Sequence, residues 1–271
     1  MLKELKKFYK THGRHDLPWR KTKDPYKVLV SELMLQQTQV ARVLLKYRQF
    51  LKSFPTFKVL AHAPLSKVLG EWQGLGYNRR AKFLHETAKI ITKEYKGKFP
   101  KDILEIESLP GIGPYTARAI STFAFNNPEV FIETNIRTVF THHYFSEKTS
   151  KSNLEVKISD TEIMPFIERD LKKSKMEPRD FYAALMDYGS HLKTSGIRIN
   201  SKSKHYTKQS KFEGSSRQLR GAIIRELLQK PATLGQLTKN LSRKKGEVDH
   251  GIRQLKSEGL VSGARRFVVA R

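Results

Sequence analysis

The sequence predicts a mainly α-helical protein that ends in a small β-hairpin. Three observations predict it. Apolar residues recur at three-to-four-residue spacing through roughly the first 190 positions, and strand signals are nearly absent before residue 255. Beyond a basic, Ser-rich stretch, "RQLRGAIIRELLQK", "TLGQLTKNL" and "KKGEVDHGIRQLKSEG" give three helical segments, and "LVSGARRFVVAR" gives two short strands around a Gly-Ala-Arg-Arg turn.

The first informative element is "YKVLVSELMLQQTQVARVLLKYRQFL". Leu29, Val30, Leu33, Met34, Val40, Val43, Leu44 and Tyr47 follow helical spacing through it, which predicts one amphipathic helix. Glu32 and Gln36 are four apart and share a face. Charged residues are mostly exposed, so the plain expectation is a solvated side, and a polar pocket is the alternative. Next, "APLSKVLGEWQGLGYNRRAKFLHETAKIITKEY" gives a short helix, a Gly-bounded turn at Gly74 to Gly76, and a long helix with Phe83, Leu84, Ala88 and Ile91 inward.

In "IESLPGIGPYTARAISTFAF" the helix running to Leu109 ends at Pro110. Gly111 and Gly113 allow a tight turn, and Pro114 opens the next helix. Main-chain N–H groups at such a turn suit a phosphate oxygen, although Gly and Pro mark any helix–helix corner.

These elements predict three parts. Residues 1–192 form an all-α domain. Residues 193–214 form a basic linker or DNA-contacting loop, carrying Lys193, Arg198, Lys202, Lys204, Lys208 and Lys211 with no acid before Glu213. Residues 215–271 have the element order of a winged-helix domain, with residues 243–258 as recognition helix and Arg265 and Arg266 at the wing tip. Lys244, Lys245, Arg253, Arg265 and Arg266 gather charge where a phosphate backbone would pass; a surface for protein contacts is the alternative use.

Composition narrows the partner. The 52 Lys and Arg against 26 Asp and Glu leave a net charge of +26, which points to a polyanion and first to nucleic acid. No apolar run has the length of a transmembrane helix, and "MLKELKKFYKTHGRHD" lacks the apolar core of a signal peptide. The expectation is a monomeric intracellular protein of cytoplasm or nucleoid, without membrane contact. With no Cys in the chain, disulfides and thiolate-held metal centres are excluded.

Five segments, "LPWRKTKDPYKVLVSELMLQQTQV", "WQGLGYNRRAKFLH", "LPGIGPYTARAI", "FIETNIRTVF" and "FYAALMDYG", resemble the helix-hairpin-helix DNA glycosylases in order and near spacing. Within that family the resemblance is greatest to the adenine glycosylases of the MutY type, and it covers residues from about 14 to 190. It implies a helix-hairpin-helix glycosylase fold and a base-excision-repair enzyme that flips a base from duplex DNA containing a mismatch or lesion. By this resemblance Glu32 is the catalytic acid and Gln37 a wedge near the flipped nucleotide. Tyr77 is an intercalating tyrosine, and Tyr115 stands where bifunctional relatives carry a lysine. Trp19 and Arg20 lie near the base pocket, and Asn135 lines it. The family's aspartate is replaced by Glu133, and a glutamate that holds adenine in some members is replaced by Ala183. The four-cysteine iron–sulfur loop has no counterpart, so no cofactor is expected; the metal site that the resemblance leaves is for a monovalent ion at the hairpin carbonyls of Leu109 and Ile112.

The chemistry fits these residue types. A flipped nucleotide leaves a gap in the stack that wedges must fill. Breaking an N-glycosidic bond leaves an oxocarbenium-like sugar and an anionic base, so one group must donate a proton and one carboxylate must stabilise the cation. Glu32 suits the first task and Glu133 the second. Glu133 is equally well placed as an ordinary acid at a helix N-terminus. The leading substrate is adenine. Uracil, thymine or hypoxanthine in mismatches are the alternatives, and a catalytically weak DNA-binding protein on the same scaffold is the rival of another class.

Overall fold

The structure is a computed structural model, and it describes residues 1–146, 157–197, 199–206 and 211–270. Arg198 and Lys208 of the expected basic loop lie outside the described residues. The chain divides into two compact units. One comprises residues 1–28, 101–107 and 112–208, and the other residues 29–100, 108–111 and 209–271.

In the first unit, α1 (Leu2–His12) leads through a 3-10 turn (Pro18–Arg20) to the start of α2 (Pro25–Leu35). The remaining α-helices among the described residues are most of α7 (Ile103–Ser108), then α8 (Pro114–Phe125), α9 (Thr134–Tyr144), α10 (Asp160–Ser174) and α11 (Pro178–Thr194). Their apolar faces form one core, including Leu5, Ala119, Ile136, Val139, Phe140, Ile163, Phe181 and Leu185. The start of α10 is closed by a Ser159–Glu162 capping box and tied to α9 by the bidentate Arg137–Asp160 pair at 2.7 Å. Helix α11 runs through Thr194, so Lys193 belongs to its last turn and not to a loop.

The second unit holds the rest of α2, α3 (Val40–Ser53), α4 (Phe57–His62), α5 (Leu65–Glu71) and α6 (Arg79–Lys93). The single helix expected over residues 26–51 is two: α2 stops at Leu35, and Gln37 takes a left-handed φ of 52° before α3 begins. Apolar spacing continues across the break, which is why periodicity alone hides it. The unit ends with α12 (Ser216–Gln229), α13 (Leu234–Leu241), α14 (Lys245–Ser257) and the antiparallel strands β1 (Val261–Ser262) and β2 (Val268–Val269). This is the expected order of three helices and a hairpin. Side-chain caps at Ser215 and Thr233 start α12 and α13, and Ile223, Leu237, Val248, Ile252 and Leu255 make the small core. Among the described residues, no helix is long and apolar enough to cross a membrane.

Candidate active site and nucleic-acid surfaces

Glu32 is not on a solvated side. It is 9% exposed in a turn of α2 whose Leu29, Val30, Leu33 and Met34 are fully buried, and even Ser31 is 1% exposed. A carboxylate so placed costs free energy unless it is paired or hydrogen-bonded.

In the first unit, Glu133 is the N-cap of α9. Its Oε1 accepts from the backbone N–H of Asn135 at 2.7 Å and of Ile136 at 2.9 Å, while Oε2 accepts from Asn135 Nδ2 at 3.3 Å. The residue as a whole is partly exposed. Burial of its carboxyl nonetheless pushes its pKa up, against the two backbone N–H bonds and the charges of Lys193 and Arg137. The reciprocal effect is seen on Lys193, which burial pulls down and Glu133 holds up. Glu133 therefore caps the helix through Oε1, while Oε2 takes the longer bond to Asn135 Nδ2.

Tyr115, in the first turn of α8, packs edge-on against Phe131, which stacks on Tyr182 at 3.8 Å. The Tyr182 hydroxyl donates to the Glu129 carbonyl at 2.7 Å. Trp19 is buried in its 3-10 turn. Arg20 is engaged within its own unit: its Nη1 donates to Asp187 at 2.5 Å and its Nη2 at 2.8 Å, with further bonds to the carbonyls of Arg14 and Ala183. Both terminal nitrogens thus serve α11 inside the unit. Asp187, 3% exposed, also accepts from the backbone and Nε of Arg14. Burial would raise its pKa, but Arg20 and Arg14 outweigh burial and hold it below the usual aspartate range.

The glycines of the corner behave differently from each other. Gly111 has φ 73°, and a Cβ there would stand 2.5 Å from Phe83 of α6. Gly113 caps α8 in an ordinary extended conformation with nothing near its missing Cβ, so chain geometry does not demand glycine there. Leu109 and Ile112 are buried.

Gln37 and Tyr77 both lie in the second unit with positive φ, 52° and 49°. One residue bonds the chain beside both of them. Arg80, 7% exposed, donates from Nη1 to the carbonyls of Leu33, Met34 and Gln36, and from Nη2 to Thr38 Oγ1 and the carbonyls of Leu75 and Gly76. Its guanidinium also lies 5.6 Å from the Trp72 ring and 5.3 Å from the Tyr77 ring. It satisfies the carbonyls left open at the C-terminal end of α2 and those of the Gly74–Gly76 turn together. Burial lowers its pKa to about 10, so it stays charged at neutral pH. Sequence reasoning passed over Arg80 as one more basic residue.

Lys244, Lys245, Arg253, Arg265 and Arg266 are all exposed on α14 and the hairpin, with Arg253 3.2 Å from Asp249. Among the described residues, no group of three or more His, Cys, Asp or Glu is arranged to hold a metal ion.

Comparison with known proteins matches residues 30–161 to the HhH-GPD superfamily base excision DNA repair protein model. A thymine/uracil-DNA glycosylase of Pyrobaculum aerophilum is 30% identical over 190 residues, covering 70% of this chain and 81% of that protein. The chain belongs to the HhH-GPD superfamily. An adenine DNA glycosylase of Buchnera aphidicola is 44% identical over 137 residues, which are 51% of this chain but 39% of that protein. The chain thus spans well under half the length of that relative. A solved thermostable thymine-DNA glycosylase superposes with a TM-score of 0.59 and 28% identity, covering 70% of this chain and 84% of its own. The mainly helical architecture is therefore that of the HhH-GPD superfamily.

Proposed function

We propose that this HhH-GPD protein is a monofunctional DNA glycosylase that hydrolyses the N-glycosidic bond of a base flipped from a mispaired or damaged site, adenine first. The observation that carries the reading is the buried carboxyl of Glu32 among apolar side chains. A protein that only binds DNA gains nothing from a buried acid, whereas a glycosylase needs one to protonate a departing base. Glu133 supplies the carboxylate that offsets positive charge on the sugar, and Asn135 orients it. Gln37 and Tyr77 fill the gap in the stack. Tyr115 in place of an amine leaves no Schiff base to form, so strand cleavage needs a separate step.

The open space at Gly113 admits a phosphate beside the first turn of α8, and a monovalent ion on the carbonyls of Leu109 and Ile112 would serve the same backbone. The three helices and hairpin of residues 215–271 act as a winged helix on duplex DNA through Lys244, Lys245, Arg253, Arg265 and Arg266. An iron–sulfur cluster does not fit, because the chain has no thiolate to ligate one. The protein acts as an intracellular monomer on mismatched or damaged duplex.

The identity to a thymine/uracil-DNA glycosylase over 81% of that protein favours uracil or thymine in mismatches as the second reading. The test is a panel of duplexes with single mismatches and lesions, treated with alkali to reveal abasic sites. Excision from one or a few of them, abolished by Glu32→Gln with binding kept within a few-fold, is the expected result. No excision from any duplex leaves a DNA-binding protein on a glycosylase scaffold.

A further inference from the structure

The turn that carries Tyr77 is met by the C-terminal module of its own unit. Arg217, in the first turn of α12, donates from Nη1 to the Tyr77 hydroxyl, and its guanidinium carbon lies 5.4 Å from the Tyr77 ring centroid. Arg80 already holds the backbone of this turn through the Leu75 and Gly76 carbonyls, and its Cζ lies 5.3 Å from the same ring. The two arginines divide the work: Arg80 fixes where the residue starts, and Arg217 engages both the ring and the hydroxyl at its far end. A tyrosine has only two side-chain torsions, so a contact to the ring and a bond to its oxygen together set its direction.

The module is seated beside this contact by specific bonds. Lys82 Nζ on α6 donates to the carbonyl of Glu258 at the C-terminal end of α14 at 2.7 Å, where a cation is favoured. Gly259 follows with φ 64°, and a Cβ there would stand 2.6 Å from Lys82 Nζ. Arg220 pairs with Glu258 from α12. Arg217, Arg220, Gln37, Tyr77 and Asn78 line one 390 Å³ cavity, so the contact borders open space beside Tyr77.

We propose that Arg217 is the positioning residue of the Tyr77 wedge, through which the C-terminal module sets the readiness of the wedge as well as adding affinity for DNA. This rests on the reading of Tyr77 as a wedge.

The experiment uses the full chain and a duplex in which 2-aminopurine neighbours a stable abasic analogue, so that wedge insertion unstacks the probe and raises its fluorescence. Arg217→Met keeps the aliphatic stem and removes charge and donors. It should cut the saturating fluorescence rise by about fivefold or more, the scale expected for one charged hydrogen bond plus a cation–π contact, with affinity for a fully paired duplex changed less than about twofold. In a Tyr77→Ala background the same substitution should change nothing further, since its effect passes through Tyr77. An unchanged rise with Arg217→Met overturns the proposal. An equal loss of affinity with and without Tyr77 overturns it too, by making Arg217 a phosphate contact. If the wild type gives no rise while still excising bases, the wedge reading of Tyr77 falls and this inference with it. A wild-type rise that persists in Arg217→Met removes this inference alone.

Discussion

Gly189 of α11 and Asn135 of α9 meet backbone to backbone: a Cβ on Gly189 would stand 2.2 Å from the Asn135 carbonyl oxygen and 2.7 Å from its carbon. Neither atom can swing aside as a side chain could. The contact holds the start of α9, and with it the Glu133 cap, against the helix that carries Asp187 and Lys193. Gly189→Ala should therefore lower stability by roughly 1–3 kcal/mol, the usual cost of forcing atoms into a packed interior. Denaturant melts measure this. Excision should fall further than the loss of folded protein explains, because Glu133 shifts with α9. A variant with wild-type stability would show that the helices separate without cost.

Asp187→Asn should destabilise the protein by about 3 kcal/mol at pH 7, because it leaves Arg20 and Arg14 with uncompensated charge at a buried site. The figure is at the low end of the range because the Arg14 side chain is 38% exposed. The folded pKa of Asp187 lies below its ordinary 3.8, so its contribution is present above that value and lost only as pH falls through the lower folded pKa. Denaturation midpoints of the two proteins should differ by the same amount from pH 7 down to about pH 5 and converge only in stronger acid. A gap that closes by pH 6 would mean that another group controls it.

Glu133 carries the opposite sign. Its folded pKa is raised, so any stability linked to it is greatest below the ordinary carboxylate range and lost as pH rises through the folded value. If its ionised form offsets the sugar cation, single-turnover excision should fall on the acid side with a midpoint above the ordinary 4.5. Lys193 favours the ionised form, so Lys193→Met should move that midpoint upward. Stopped or quenched-flow rates across pH give the comparison. An unmoved midpoint would detach Lys193 from the chemistry.

Much of this was legible in the sequence, and the residues that were not share a physical cause. Helical spacing placed the elements, and Pro114 marked the start of α8 because a missing N–H costs nothing there. Glu32 stood out because an acid in an apolar stretch breaks the pattern. Arg80, Asp187 and Gly189 did not stand out. Their partners lie 44 to 47 positions away for the α2 carbonyls, 167 to 173 for the arginines, and across a helix interface for Gly189. A buried arginine reads in sequence as one more surface charge, and a glycine inside a helix reads as tolerated. The acid that Arg20 engages was hidden for the same reason, since it lies 167 positions away.

The substitution that best separates chemistry from architecture is at Glu133. Its two N–H bonds at 2.7 and 2.9 Å make it a cap, and its carboxylate makes it a candidate stabiliser of the sugar cation. Glu133→Asp keeps charge and capping power, because aspartate is among the best N-cap residues. Its carboxyl retreats by about 1.5 Å, one carbon–carbon bond. Stability should stay within about 1 kcal/mol of wild type; excision should match or exceed the wild-type rate if the pocket keeps the family's geometry, and slow by up to about a hundredfold if it has adapted to glutamate. Glu133→Gln keeps length and one acceptor oxygen but loses the charge. Its stability should also change by no more than about 1 kcal/mol, and its rate should fall by about 10²–10³ or more, as when one preorganised electrostatic group is removed from a transition state. Affinity for the damaged duplex should hold in both variants, since the carboxylate acts on charge that develops only as the bond breaks. Equal rates in all three proteins would reduce Glu133 to a helix cap. An inactive wild type that gains excision on Glu133→Asp would identify a glycosylase scaffold turned to binding.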